Sequence, residues 1–116
     1  MRKFLIFLTL NIVYLFTAIA VYAHPPVKID LTFAPATETL TAVISHPVSN
    51  PEVHYIEKVE VKKNNQVIAK QEFTKQDNHQ TQIASIQIPD AKKGDVLTLQ
   101  AFCSISGSLK KKLAVQ

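Results

Sequence analysis

From residue 28 onward the chain alternates between apolar and polar positions. Ile29, Leu31 and Phe33 interleave with Lys28, Asp30 and Thr32, and Leu40, Ala42 and Ile44 repeat the pattern. A period of two marks a strand with one buried face. Tyr55 to Lys63 and Gln66 to Thr74 predict two more strands, joined at Asn64-Asn65. Asparagine tolerates positive φ, so this pair suits a tight hairpin turn. Further strands are predicted over Thr81–Ile88, Asp95–Ile105 and Leu109–Val115, with Pro89-Asp90 and Lys93-Gly94-Asp95 as breakers between the first two. No stretch beyond residue 23 carries helical periodicity. Seven short strands predict an all-β fold, an immunoglobulin-like β-sandwich over residues 24–116.

One strand is out of phase with itself. Val59 and Val61 share a face, whereas Ile56 falls on the other. A bulge near Glu57-Lys58 would restore the phase and re-aim His54 and Tyr55.

The first 23 residues follow a different pattern. Met1-Arg2-Lys3 is a basic start, and Phe4 to Ala23 is apolar apart from Thr9, Asn11 and Thr17. The run closes on Val21-Tyr22-Ala23, with small or compact residues where a signal peptidase reads. These features predict a signal peptide over residues 1–23 and a periplasmic or secreted mature domain. At about 20 residues the run is also long enough to cross a bilayer, so membrane contact is expected only where the signal is retained. No cysteine follows it to take a lipid.

Removing the signal takes Arg2 and Lys3 with it and lowers the formal charge of +4 by two. That balance excludes a nucleic-acid footprint. The run Lys110-Lys111-Lys112 reads as a solvated strand edge. Hydrolase chemistry is unsupported, for the chain lacks a serine elbow, a recognisable carboxylate pair and an HExxH helix.

Cysteine usage is more telling. Cys103 is the single cysteine, so an exported chain has no internal disulfide to form. Such a thiol is buried, pairs with another chain or binds metal. Cys103 shares the alternation of Leu97, Leu99, Ala101 and Ile105, which points it inward. His46-Pro47 ends one strand and His54-Tyr55 opens the next, around a loop stiffened by Pro51. Two imidazoles flanking a short stiff loop can converge on one ion. His24, Cys103 and this pair are the candidate metal ligands. His79, in the polar stretch Asn78-His79-Gln80, reads as a surface histidine. The spacings are long and irregular, unlike a compact zinc motif.

The segment His46-Pro47-Val48 through His54-Tyr55-Ile56-Glu57, followed by Val59-Glu60-Val61, resembles the iron-binding domain of superoxide reductases, the neelaredoxin and desulfoferrodoxin family. Ala101-Phe102-Cys103-Ser104-Ile105-Ser106-Gly107 is similar to that family's cysteine loop, and His24-Pro25-Pro26-Val27 to its first histidine segment. The resemblance implies a mononuclear non-haem iron held by His24, His46, His54 and an axial Cys103 thiolate. It also implies superoxide as the small oxidant and a separate, unknown electron donor. Three departures are visible. Ser106 stands where the family has a histidine three residues after the cysteine. The His46–His54 loop is about two residues longer than the family's. Tyr22-Ala23 replaces the Glu-Lys pair before the first histidine.

The expected function is an exported iron protein resembling superoxide reductase, with activity weakened or lost through Ser106. Two alternatives accompany it. Cleavage after Ala23 would make His24 N-terminal, and its α-amine and imidazole could hold copper in a periplasmic copper-binding protein. A metal-free interaction module resembling the sulfur-carrier partner subunits of thiosulfate oxidation would instead leave Cys103 as core.

Overall fold

The computed structural model describes residues 24–116, and the predicted signal segment lies outside the described residues. Seven strands follow one another: β1 (Lys28–Ala34), β2 (Thr39–Ser45), β3 (Ile56–Lys63), β4 (Gln66–Glu72), β5 (Thr81–Gln87), β6 (Val96–Cys103) and β7 (Ser108–Ala114). They form two antiparallel sheets, β1-β2-β5 and β4-β3-β6-β7. The fold is therefore the predicted all-β sandwich. Its β4 pairs with β3 and not with β5, which differs from the constant-type immunoglobulin order.

The alternation read from the sequence is the packing between the sheets. Ile29, Leu40, Ala42, Ile44, Ala84 and Ile86 from one sheet meet Ile56, Val59, Val61, Leu97, Leu99 and Ala101 from the other. Each buried Val, Leu or Ile side chain among them contributes about 1.5–3 kcal/mol. Leu31 and Phe33 are half-buried against the margin of this core. The β3–β4 turn is as expected, with Asn64 at φ 51° and Asn65 at φ 72°. Two successive positive φ values give the turn whose twist matches a right-handed hairpin.

The phase slip in β3 is resolved by a bulge. Ile56 pairs with Cys103 and Lys58 with Phe102, so Glu57 is the extra residue. Ile56 and Val59 then both face the core. Ile105 departs from the sequence expectation. Strand β6 stops at Cys103, and Ile105 lies beyond it in the β6–β7 turn, 47% exposed. The alternation runs past the strand end because the chain turns there.

Strand direction decides what meets where. β1 and β5 start, and β2 and β4 end, at the same end of the sandwich as the start of β3 and the β6–β7 turn. The N-terminal segment 24–27, the β2–β3 loop, the β4–β5 loop and the β6–β7 turn therefore cluster there. All four histidines of the chain belong to these segments, and its one cysteine is the last residue of β6 at the same end.

Candidate metal centre

Each ligand segment is anchored by backbone bonds at this end. The Val27 N–H donates to Ser45 O at 2.9 Å, laying residues 24–27 beside the end of β2. The His46 N–H donates to Gln80 O at 2.8 Å, which continues the β2–β5 pairing by one residue. Within the β2–β3 loop, His54 N–H donates to Asn50 O at 3.0 Å, closing a turn over Pro51. The Ser104 N–H donates to Tyr55 O at 2.8 Å, and the Tyr55 N–H to Ser104 Oγ at 3.1 Å. This reciprocal pair fixes the cysteine turn to the residue after His54.

The three segments bring His24, His46 and His54 together. One ring nitrogen from each can be chosen so that all lie within 4.8 Å of one another. The ring centroids are 4.8–5.3 Å apart and the planes are steeply inclined. Cys103 completes the set: its Sγ and His54 Nε2 share a hydrogen bond at 3.2 Å. Cys103, His46 and His54 are buried, and His24 is half-buried. The Ile105 N–H points at the sulfur from 3.4 Å. The three histidines singled out in the sequence thus meet at one place, and Cys103 touches the group through His54. Ser106 lies exposed on the adjoining turn and is not in the histidine cluster.

The electrostatics suit a cation and disfavour added protons. Burial, then the neighbouring His46 and His24, pushes the His54 imidazole below the ordinary histidine range. A backbone hydrogen bond involving His24 opposes this in part. A neutral imidazole is the form that binds metal.

Two supporting residues were not apparent in the sequence. Gln76, in the β4–β5 loop, is only 2% exposed. Its amide nitrogen donates to His46 O at 2.7 Å and to Asn78 O at 3.0 Å. Both partners are carbonyls, so the amide orientation is settled and Oε1 must accept from His46 Nδ1, at 2.8 Å. Gln76 thereby orients the His46 ring, with Nε2 turned toward the cluster and 3.1 Å from His24 O. Orienting a ligand through its far nitrogen is the usual work of an outer-shell partner. A glutamine in a polar loop carries no sequence signal for this role. Gly107 is the second. It sits at φ +83°, and a Cβ there would lie 2.8 Å from Pro25 Cβ. The absent side chain lets the cysteine turn press against the segment that holds His24.

A cleft of ≈ 340 Å³ opens over the cluster, lined by His24 and His54 with Pro47, Val48, Ser49, His79 and Gln80. Cys103 lies behind the histidines and does not line it. Soft thiolate with several imidazoles is a donor set that suits iron, copper or zinc. The residues present would therefore fit a single transition-metal ion beside the cleft.

No family model matches the sequence, and no curated protein sequence matches it. Among solved structures, the chain is similar to the superoxide reductase (1Fe-SOR) from Giardia intestinalis. The TM-score is 0.59 at 15% identity, covering 79% of this chain and 100% of that one. At that identity the likeness establishes a shared fold.

Proposed function

We propose that this protein is a mononuclear non-haem iron protein of superoxide reductase type, acting after export. The observation that carries this reading is the convergence of His24, His46 and His54 beside the Cys103 sulfur. It stands on a sandwich shared with a solved superoxide reductase. A metal-free module would not require three imidazoles, two of them buried, to meet at one point.

Bound ferrous iron would supply one electron to superoxide, which with two protons gives hydrogen peroxide. The chain's own contribution is positional. Gln76 accepts from His46 Nδ1 and donates to His46 O, and so sets the His46 ring with Nε2 toward the cluster. The buried Cys103 sulfur, in contact with His54 and faced by the Ile105 N–H, would be offered to the ion from the protein interior. The cleft lined by His24 and His54 would admit a small oxidant to the cluster. Ser106 stands exposed where the resembled family has a further imidazole, so activity is expected to be lower than a fuller histidine set would give. The same cluster with an N-terminal His24 would serve copper, and the identity of the bound metal separates the two.

The test is superoxide consumption by the iron-loaded protein under a low-potential reductant, followed together with dioxygen evolution. Consumption without dioxygen, lost in Cys103→Ser, supports the reading. A correctly folded, iron-loaded protein that leaves superoxide decay unchanged would overturn it.

A further inference from the structure

Three of the chain's four histidines form the cluster, and the fourth stands beside the same cleft. His79 lines that cleft together with His24 and His54. Its backbone is tightly held. The His79 carbonyl accepts from Val48 N–H at 2.8 Å, and the Gln80 carbonyl accepts from His46 N–H at 2.8 Å. Asn78 Oδ1 accepts from the N–H groups of Gln80 and Thr81, each at 2.8 Å. The Asn78 carbonyl is in turn held by Gln76. His79 is thus fastened to the segment that carries His46, while its side chain is exposed.

The ring carries a second piece of information. His79 Nδ1 lies 3.1 Å from Val48 O. A carbonyl only accepts, so Nδ1 bears the proton and Nε2 keeps its lone pair. An imidazole that donates one nitrogen to a backbone carbonyl and offers the other is the arrangement in which metal ligands are held. The Val48 N–H bond and the Nδ1 bond also tie residues 48 and 79 to each other in both directions. Ligation by His79 would draw residues 48 and 79 toward the ion together, with that pairing kept.

We propose that His79 is a fourth imidazole ligand, closing from the cleft side onto a metal held by His24, His46, His54 and Cys103. This rests on the metal reading of the preceding subsection. In the metal-free arrangement the His79 ring lies outside the group whose atoms fall within 4.8 Å, so ligation narrows the cleft. The donor then comes from the β4–β5 loop and not from the cysteine turn, where Ser106 offers only a hydroxyl.

Co(II) is the probe, because it is redox-stable and reports coordination number optically. Full-length exported protein, His79→Gln and Ser106→Ala would be titrated with Co(II) by d–d and sulfur-to-metal absorption. X-ray absorption on the loaded proteins would count imidazoles. The wild type is expected to show four imidazoles and one sulfur. His79→Gln should show three, with d–d bands altered and affinity at least tenfold lower, while Ser106→Ala matches the wild type. Metal-free His79→Gln should melt like the wild type, since its ring is exposed. A count of three imidazoles in the wild type, or an unchanged count and affinity in His79→Gln, would overturn the proposal and leave the cluster intact. Absence of any cobalt binding by the folded wild type would overturn both this proposal and the metal reading beneath it.

Discussion

Replacing Gly107 by alanine tests whether the cysteine turn positions the first histidine. Two costs are built into the site. Alanine at φ +83° takes on left-handed strain of roughly 1–2 kcal/mol. The new Cβ would also stand 2.8 Å from Pro25 Cβ and 3.3 Å from its Cγ and Cδ. Ordinary carbon contacts lie at about 3.5–4.0 Å, so roughly 1 Å of separation is needed. A proline ring cannot swing aside, so the backbone of residues 24–27 must give way. Its far end is held by Val27 N–H to Ser45 O, so the displacement falls on His24 and strains its contacts with Pro47 O and His46 Nε2. A ligand constellation tolerates about 0.5 Å of error. We expect metal affinity to fall by about 10–100-fold, the range seen when a ligand loses its support. Gly94→Ala is the control. Its φ is +94°, but nothing lies within 4 Å of the added Cβ, and it sits at the opposite end of the sandwich. It shares the strain without the clash. Co(II) titration and thermal melts of both variants would separate the effects. Both should lose stability, and only Gly107→Ala should lose affinity. Equal affinities in folded Gly107→Ala and wild type would refute the claim that this contact sets His24.

Gln76→Leu should leave His46 Nδ1 and two carbonyls without their partner. Affinity is expected to drop about 10–100-fold and stability by about 1–3 kcal/mol, read by metal titration and denaturant melts. The lowered pKa of buried His54 gives a pH effect of defined sign. The unfolded chain takes up this proton first, so metal-free stability should be full above the ordinary histidine range and fall as pH drops through it toward the folded value. Melts of wild type and His54→Gln across pH 5–8 would show the slope, and an identical slope in both would contradict it. In the β3–β4 turn, Asn65→Val should cost about 1 kcal/mol or more because Asn65 has φ 72°, whereas Asn65→Gly should be neutral or stabilising in the same melts.

Much of the fold was legible because its determinants are local. Alternation at Leu40, Ala42 and Ile44, and at Leu97, Leu99 and Ala101, is written directly by burial between two sheets. The Glu57 bulge was visible as a break in that alternation, and the Asn64-Asn65 turn as a pair of residues that accept positive φ. The candidate ligands could be named from residue type, since histidine and cysteine are scarce in this chain. Their support could not. Gln76 lies 30 positions from His46 and matters only through the crossing of the β4–β5 loop beneath the β2 end. Pro25 and Gly107 lie at opposite ends of the described chain, and their contact exists only after the sheets have packed. His79 read as a surface residue because it is one. Its place beside the cleft depends on the β2–β5 pairing extended by His46 and Val48. Ile105 was misjudged because periodicity does not report where a strand stops.

The central claim is that His24, His46, His54 and Cys103 form a metal centre. Its most direct test is the metal content of the exported protein purified anaerobically, beside Cys103→Ser. The account predicts about one iron per chain in the wild type and its loss or marked reduction in the variant, with both proteins folded. A folded wild type that carries no stoichiometric metal and takes none up from added ferrous iron would contradict it.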